Sequence, residues 1–336
     1  MKILVTGATG YLGNHVARTF RSASHEVAAM VRTAAGRAEF EAEGIEVRPG
    51  DLERQESWPA VLEGVDALVH CASLVASWSR DPAAFHRVNV EATVALVEAA
   101  RASGIRRIVV TGSLFALGPS GPDECLDEHA VESPPAPLLS ANEYVRTKAV
   151  AARRLRDLQR RGHPVMVVHP TILLGPGKRT EGNHVAGVLA DMLAGRFPGL
   201  VGNGEQSWNL VPVEDAARGH LLAVERGRPG ESYILGGENW TQRRLVERAA
   251  THLGVKAPLR RLGRAFPLAV AGTAEGWARL TGRSPFLTRG EVRLYDASWA
   301  FTSAKAAEEL GYAPGDVDAA LARTAAWIRA GGSERG

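Results

Sequence analysis

The sequence predicts an α/β fold, a parallel sheet wound on both faces by helices, with a smaller lobe built from the C-terminal half. Three observations carry this expectation. Short apolar runs alternate with helix-period segments through the first half of the chain. A glycine-rich turn joins the first run to the first helix. The alternation then stops at Pro170, and Gly175-Pro176-Gly177 breaks the chain.

The elements follow in order. Ile3–Val5 reads as a buried strand and is followed by a helix from about Tyr11 to Arg21. Val27–Val31, Ile45–Arg48 and Ala67–His70 are the next strands. A helix over 82–103 places Val88, Ala92, Ala95, Leu96 and Ala99 near the 3.6-residue period. Ile108–Thr111 is the fifth strand, Ala141–Arg161 a long arginine-rich helix, and Val165–His169 the sixth strand. These runs are continuously apolar, as strands covered on both faces should be. Pro134-Pro135-Ala136-Pro137 reads as a loop. Beyond Pro170, short helices mix with isolated strand candidates such as Ser232–Leu235. The expected division is a nucleotide-binding domain over 1–170 and, over 171–336, mostly the smaller substrate-binding lobe, with the chain returning to the first domain after the loop at 175–180.

Composition narrows the function classes. The 336 residues are 45% hydrophobic and 23% charged, with a net charge of +3, which excludes a disordered chain or a fibrous repeat. So small a charge does not point to nucleic acid or an anionic membrane as the main partner. Cys71 and Cys125 form no metal-ligand spacing, so no metal is expected, and two lone cysteines suit a reducing cytoplasm. The start, Met1 to Gly7, is too short for a signal-peptide core. The most apolar late stretch, Phe266 to Ala274, is far below the roughly 18 residues that span a bilayer. The expectation is a cytoplasmic protein with no membrane insertion.

Thr6-Gly7-Ala8-Thr9-Gly10-Tyr11-Leu12-Gly13 joins the first strand to the first helix. A tight strand-to-helix turn needs residues without Cβ constraints, and a helix N-terminus offers free N–H groups to phosphates. In this context the glycine spacing predicts dinucleotide binding. The second strand ends in Met30-Val31-Arg32-Thr33, with Arg37 nearby and no acid before Glu39. An arginine there suits the 2′-phosphate of NADP, a carboxylate the ribose of NAD. NADP(H) is therefore favoured over NAD(H). Asp51-Leu52, after the third strand, reads either as a contact flanking the adenine or as a helix cap.

Tyr144 and Lys148 lie four residues apart, on one face of the long helix. An unperturbed phenol has a pKa of about 10; a neighbouring ammonium and an oxidised nicotinamide both favour the phenolate. Ser113 lies just past the fifth strand, where strand ends face the ligand crevice, and its hydroxyl can orient a carbonyl or an alcohol.

These residues, with His70-Cys71-Ala72-Ser73, Asn89-Val90-Glu91-Ala92-Thr93 and Gly175-Pro176-Gly177, resemble the extended short-chain dehydrogenase/reductase superfamily, the NAD-dependent epimerase/dehydratase family. Phe85–Glu91, Phe115–Pro119, Lys178 and Glu214–His220 look most like its dihydroflavonol 4-reductase-like and farnesol dehydrogenase-like members. The resemblance covers nearly the whole chain. It implies a Rossmann fold with a seven-stranded sheet and a catalytic Ser113, Tyr144 and Lys148. It also implies a cofactor held by Gly7, Thr9, Gly10, Tyr11, Leu12, Gly13, Arg32, Arg37, Asp51, Leu52, Ala72, Tyr144, Lys148 and Pro170. By the same carry-over Asn89 supports the fourth-strand region, and helices near 82–103 and 141–161 would pair in a homodimer.

Nucleotide-sugar enzymes of this superfamily usually carry an arginine for the diphosphate, and Trp208 holds that position here; Pro212 holds that of a usual histidine. This departure favours a less polar small-molecule substrate, with Trp78, Ser113 and Trp208 as contacts, although either tryptophan reads equally well as packing. Arg243, Arg244, Arg260, Arg261 and Arg264 read as a solvated face, and His169 and His184 as minor candidates for substrate contact. The expected function is an NADP(H)-dependent carbonyl reductase or alcohol dehydrogenase with Tyr144 as general acid/base. The alternatives are a nucleotide-sugar epimerase or dehydratase that recycles bound NAD, and a non-catalytic dinucleotide sensor.

Overall fold

The computed structural model describes residues 1–32, 37–130 and 136–332. Its strands in chain order are β1 (Lys2–Thr6), β2 (Glu26–Val31), β3 (Glu46–Pro49), β4 (Ala67–His70), β5 (Arg107–Thr111), β6 (Val165–Pro170), β7 (Ile172–Leu174), β8 (Leu200–Val201), β9 (Ser207–Pro212), β10 (Ser232–Leu235), β11 (Glu238–Thr241) and β12 (Arg261–Leu262). Seven form one parallel sheet in the order β10-β6-β5-β4-β1-β2-β3. The order reverses between β1 and β4, which opens a crevice at their C-terminal ends.

Side-chain alternation sorts this sheet into two apolar layers. Ile3, Val5, Val69, Val109, Met166 and Val168 face Val16 and Phe20 of the helix Tyr11–Ser22 and Ala217 and Ala223 of the helix Val213–Arg226. Leu4, Leu68, Ile108, Val110 and Val167 face Leu96 and Val97 of the helix Thr93–Ala102 and Leu155 and Leu158 of the helix Glu143–Arg160. Both faces are covered, so β4 and β6 are buried throughout. A third apolar cluster, with Leu114, Leu189, Trp208, Leu210, Trp240, Trp299 and Phe301, gathers the later elements around the small sheet β11-β9-β7.

Three expectations need correction. Ser232–Leu235 is not isolated: as β10 it pairs with β6 and supplies the seventh strand, its Tyr233, Ile234 and Leu235 fully buried. The single helix over 82–103 is Ala83–His86, a π-helical turn Arg87–Ala92, and Thr93–Ala102. Amphipathic spacing cannot reveal such a turn, because one wider turn barely disturbs a 3.6-residue pattern. Ala136 and Pro137 open a short helix, Ala136–Ala141, instead of a loop; proline is tolerated in a first turn, where no N–H partner is lost. Pro134 and Pro135 lie outside the described residues.

Candidate active site

The crevice beside β1 and β4 opens into a cavity of about 1120 Å³. Its floor is the glycine turn. Gly7 has φ +72°, and a Cβ there would stand 2.6 Å from the Ala72 nitrogen, so only glycine lets the turn lie against the residue after β4. Thr6 holds that neighbour in place: its Oγ1 accepts from the Ala72 N–H at 3.3 Å and lies 2.7 Å from His70 Nδ1. The helix Tyr11–Ser22 begins with no side-chain cap and no acid in its first turn, which leaves its N–H groups and positive end for an anion. These features fit a dinucleotide pyrophosphate. Tyr11 donates its hydroxyl to the Gly175 carbonyl at 2.9 Å, and so ties this helix to the chain leaving β7.

Ser113 caps the short turn Leu114–Ala116, its Oγ accepting from the Phe115 N–H at 3.2 Å. His169, at the end of β6, braces the same residue: its Nδ1 lies 3.3 Å from the Ser113 nitrogen and 3.2 Å from the Ser113 oxygen. Burial lowers the His169 pKa to about 4, so this ring is a neutral brace. Asn142 caps the long helix through the Val145 N–H at 3.1 Å and so fixes the turn that carries Tyr144.

Lys148 donates to the Thr111 carbonyl at 3.3 Å and sits 5.8 Å from the centre of the Tyr144 ring. Burial lowers its pKa to about 8, against a small upward pull from Cys71. Burial raises Tyr144 to about 12, and the Ser113 hydroxyl pulls the other way. Here the expectation of a lowered phenol pKa needs correction. In the protein by itself desolvation of the phenolate outweighs the Ser113 hydrogen bond, so Tyr144 is a neutral phenol at pH 7. Cys71, which accepts from Thr111 Oγ1 at 3.2 Å, is raised to about 11 by burial and is also a neutral group.

The far wall is aromatic. Phe115 meets Tyr144 edge-on at 6.1 Å and Trp299 at 5.0 Å between ring centroids. Trp208 stacks on Tyr295 at 5.6 Å, and the Tyr295 hydroxyl lies 3.0 Å from His184 Nε2. Glu181 and Glu291 also line the cavity, both raised above the usual carboxylate range, first by burial.

The structure brings together, around one cavity, Gly7, Thr9, Gly10, Tyr11, Leu12, Gly13, Arg32, Asp51, Leu52, Ala72, Ser113, Tyr144, Lys148, Pro170 and Trp208. Arg37 and Trp78 are not among the lining residues. Arg37 opens the helix Arg37–Ala42 and pairs with Glu41 at 3.2 Å, and Trp78 is half-buried beyond the lining residue Ser77. Asp51 lines the cavity but caps no helix: its Oδ1 accepts from the Glu53 N–H at 3.0 Å within a turn, and the helical turn Gln55–Ser57 begins at Arg54 with no side-chain cap. Sequence reading named Lys178 only for the family resemblance and gave it no site role; it lines the cavity and pairs with Glu39 at 3.3 Å, and its place directly after Gly175-Pro176-Gly177 was the available signal. Sequence reading also missed Phe115, Glu181, Glu291, Tyr295 and Trp299. Among these only Phe115, two residues from Ser113, stood near a recognisable motif.

A dinucleotide turn at a sheet's switch point, with a serine, a tyrosine and a lysine converging beside it, defines an NAD(P)-dependent oxidoreductase of the extended short-chain dehydrogenase/reductase type. A model of the NAD dependent epimerase/dehydratase family matches residues 3–236, and the chain belongs to that family. Over 334 residues it is 29% identical to a Synechocystis protein named as a dihydroflavonol 4-reductase, covering 97% of this chain and 94% of that one. Over 317 residues it is 30% identical to 4-hydroxy-2-methyl-3-oxo-4-farnesyl-3,4-dihydroquinoline-1-oxide ketoreductase of Stigmatella aurantiaca, covering 93% and 92%. The solved structure of gox2253 matches it with a TM-score of 0.82 at 32% identity, covering 99% of this chain and 98% of that one.

Proposed function

We propose that the protein is an NADP(H)-dependent carbonyl reductase, or alcohol dehydrogenase in the reverse direction, for a moderately apolar small molecule. One observation carries the substrate class. Among the described lining residues the cations are Arg32, Lys148 and Lys178, while the wall beyond Ser113 and Tyr144 is made of Phe115, Trp208, Tyr295 and Trp299 with Glu181 and Glu291. A sugar diphosphate needs a cationic clamp. Carboxylates repel a diphosphate, and aromatic faces accept an apolar body. The ketone-reductase names of the two relatives point the same way.

The bound cofactor supplies the hydride. Ser113 and Tyr144 hydrogen-bond the carbonyl oxygen and hold its carbon toward the cofactor. Tyr144 would give its hydroxyl proton to the carbonyl oxygen as negative charge develops there, its own O–H bond breaking. Lys148, 5.8 Å from the centre of the Tyr144 ring, would stabilise the resulting phenolate and is the residue that would hold the nicotinamide ribose. Arg32, at the end of β2, supports the NADP preference, because a guanidinium matches a 2′-phosphate.

The test measures consumption of NADPH and of NADH against a panel of ketones, alcohols and nucleotide sugars. NADPH-linked reduction of apolar ketones is the expected result. Protein that purifies with stoichiometric NAD and converts a UDP- or dTDP-sugar would establish the epimerase or dehydratase reading instead. Cofactor binding without turnover on the whole panel would leave a dinucleotide sensor.

A further inference from the structure

The helix Ala265–Thr281 rests on the molecule through Pro267, Ala271, Ala274 and Ala278, which are buried. A neighbouring face carries Phe266, Trp277 and Leu280, which are 67%, 66% and 84% exposed, and the turn behind it adds Phe286 at 80%. Four exposed large apolar side chains on one short segment are a concentration of the kind that marks a contact site. The same segment, 260–289, holds six arginines and one carboxylate, and Arg264 pairs with Asp296, beyond it, at 2.8 Å. That carboxylate, Glu275, is turned inward onto Arg289 at 2.7 Å. Arg260 and Arg261 are exposed before the helix, and Arg279 and Arg283 are exposed at its end. The modest whole-chain charge conceals this local concentration.

The patch borders the cavity. Glu275 joins the helix to Arg289, which opens the helix Arg289–Tyr295; that helix carries Glu291, Leu294 and Tyr295 on the cavity wall. Arg80, from the loop that follows the lining residues 71–77, donates to the Gly282 carbonyl.

We propose that the segment 260–289 docks on the surface of an anionic bilayer, with Phe266, Trp277, Leu280 and Phe286 in the acyl boundary and the arginines on lipid phosphates. An amphipathic helix with aromatic and leucine residues on one face and arginine at its flanks has the composition of an interfacial anchor. No described helix is long and apolar enough to cross a membrane, so the contact is peripheral. Resting on the reductase reading, the docked position assigns the substrate class: the carbonyl or alcohol of a bilayer-resident lipid, which enters the aromatic cavity without crossing water.

The test is co-sedimentation of the full chain with vesicles of phosphatidylcholine alone and of equimolar phosphatidylcholine and phosphatidylglycerol, at low and high salt. The expected result is binding to the anionic vesicles that weakens with salt. A Trp277→Ser, Leu280→Ser double variant should bind about a hundredfold more weakly, and Arg279→Glu, Arg283→Glu should lose the preference for anionic lipid. Both pairs are exposed, so unchanged melting temperature and unchanged turnover of a water-soluble ketone serve as controls. Absence of binding, or equal binding to the two vesicle types, would overturn the proposal. A dimer in solution that Leu280→Ser dissolves would also overturn it, by showing that a second copy covers the patch. Vesicle binding without ketone turnover in the unaltered chain would keep the docking surface and sink the reductase reading.

Discussion

Asn89 donates its Nδ2–H to Thr147 Oγ1 at 3.2 Å, joining the π-helical turn Arg87–Ala92 to the residue beside Lys148. The same amide clamps the loop after β4. Its Nδ2 reaches the Leu74 carbonyl at 3.0 Å, and its Oδ1 accepts from the Leu74 N–H at 2.7 Å and from Ser73 Oγ at 3.0 Å. The turn is π-helical where this one side chain fastens a cavity loop to the helix of Tyr144 and Lys148.

Asn89→Ala should therefore cost about 2 kcal/mol of stability, since it leaves buried partners unpaired. It should lower kcat more than it raises KM for NADPH. Thermal melts and steady-state kinetics check both. A cycle with Thr147→Val should give a coupling energy of about 1 kcal/mol; additive effects would show that the two residues act separately.

Gly7→Ala should remove cofactor binding with a smaller effect on folding. The new methyl would stand 2.6 Å from the Ala72 nitrogen at a φ of +72°, and the turn must shift away from the site where phosphates would lie. Quenching of intrinsic fluorescence by NADPH measures the loss, expected to exceed about tenfold.

Tyr144→Phe removes the proposed proton donor and should lower kcat about a hundredfold to ten-thousandfold, with NADPH binding retained by titration. Full turnover in this variant would exclude Tyr144 as the acid.

Lys148 should set an alkaline limb. Its pKa of about 8 lies below the ordinary 10.5, so its charge is complete well below pH 8 and is lost as pH rises through that value. The kcat/KM for ketone reduction should fall above about pH 8. Lys148→Arg, with a guanidinium that stays charged, should remove that limb whatever its effect on the plateau.

His70, His169 and His220 are buried with pKa values lowered to about 3, 4 and 4, each mainly by desolvation. The unfolded chain takes up protons near the ordinary 6.5, before the folded one does. Stability is therefore complete above that value and declines as pH falls toward 4, by on the order of 3 kcal/mol per histidine over the whole interval. Urea melts between pH 7 and about 4.5 should show this decline, and His169→Asn should make it shallower.

Most strands of the first half were legible because strands buried on both faces must be apolar throughout; β3, in which no residue is buried, lies at the sheet edge. The Ser113, Tyr144 and Lys148 constellation was legible because strand ends and helical spacing place those residues. Tyr295 and Trp299 carried no such mark: Trp299 reaches the cavity wall by a bridge to Trp208 from a distant segment, a pairing that only the assembled fold decides. Trp78 shows the converse, a tryptophan in a well-placed loop that does not line the cavity. The π-helical turn was hidden because a side-chain contact, from Asn89, accompanies a shift that periodicity cannot register.

Ser113, Tyr144 and Lys148 all precede Pro170, whereas His184, Trp208, Leu294, Tyr295 and Trp299 all follow it. The residues proposed for chemistry and most of those proposed for choosing the substrate are thus encoded in different stretches of the gene. Mutation and selection can rewrite the later stretch while the earlier one stays fixed, so new substrates can be acquired without reinventing the reaction.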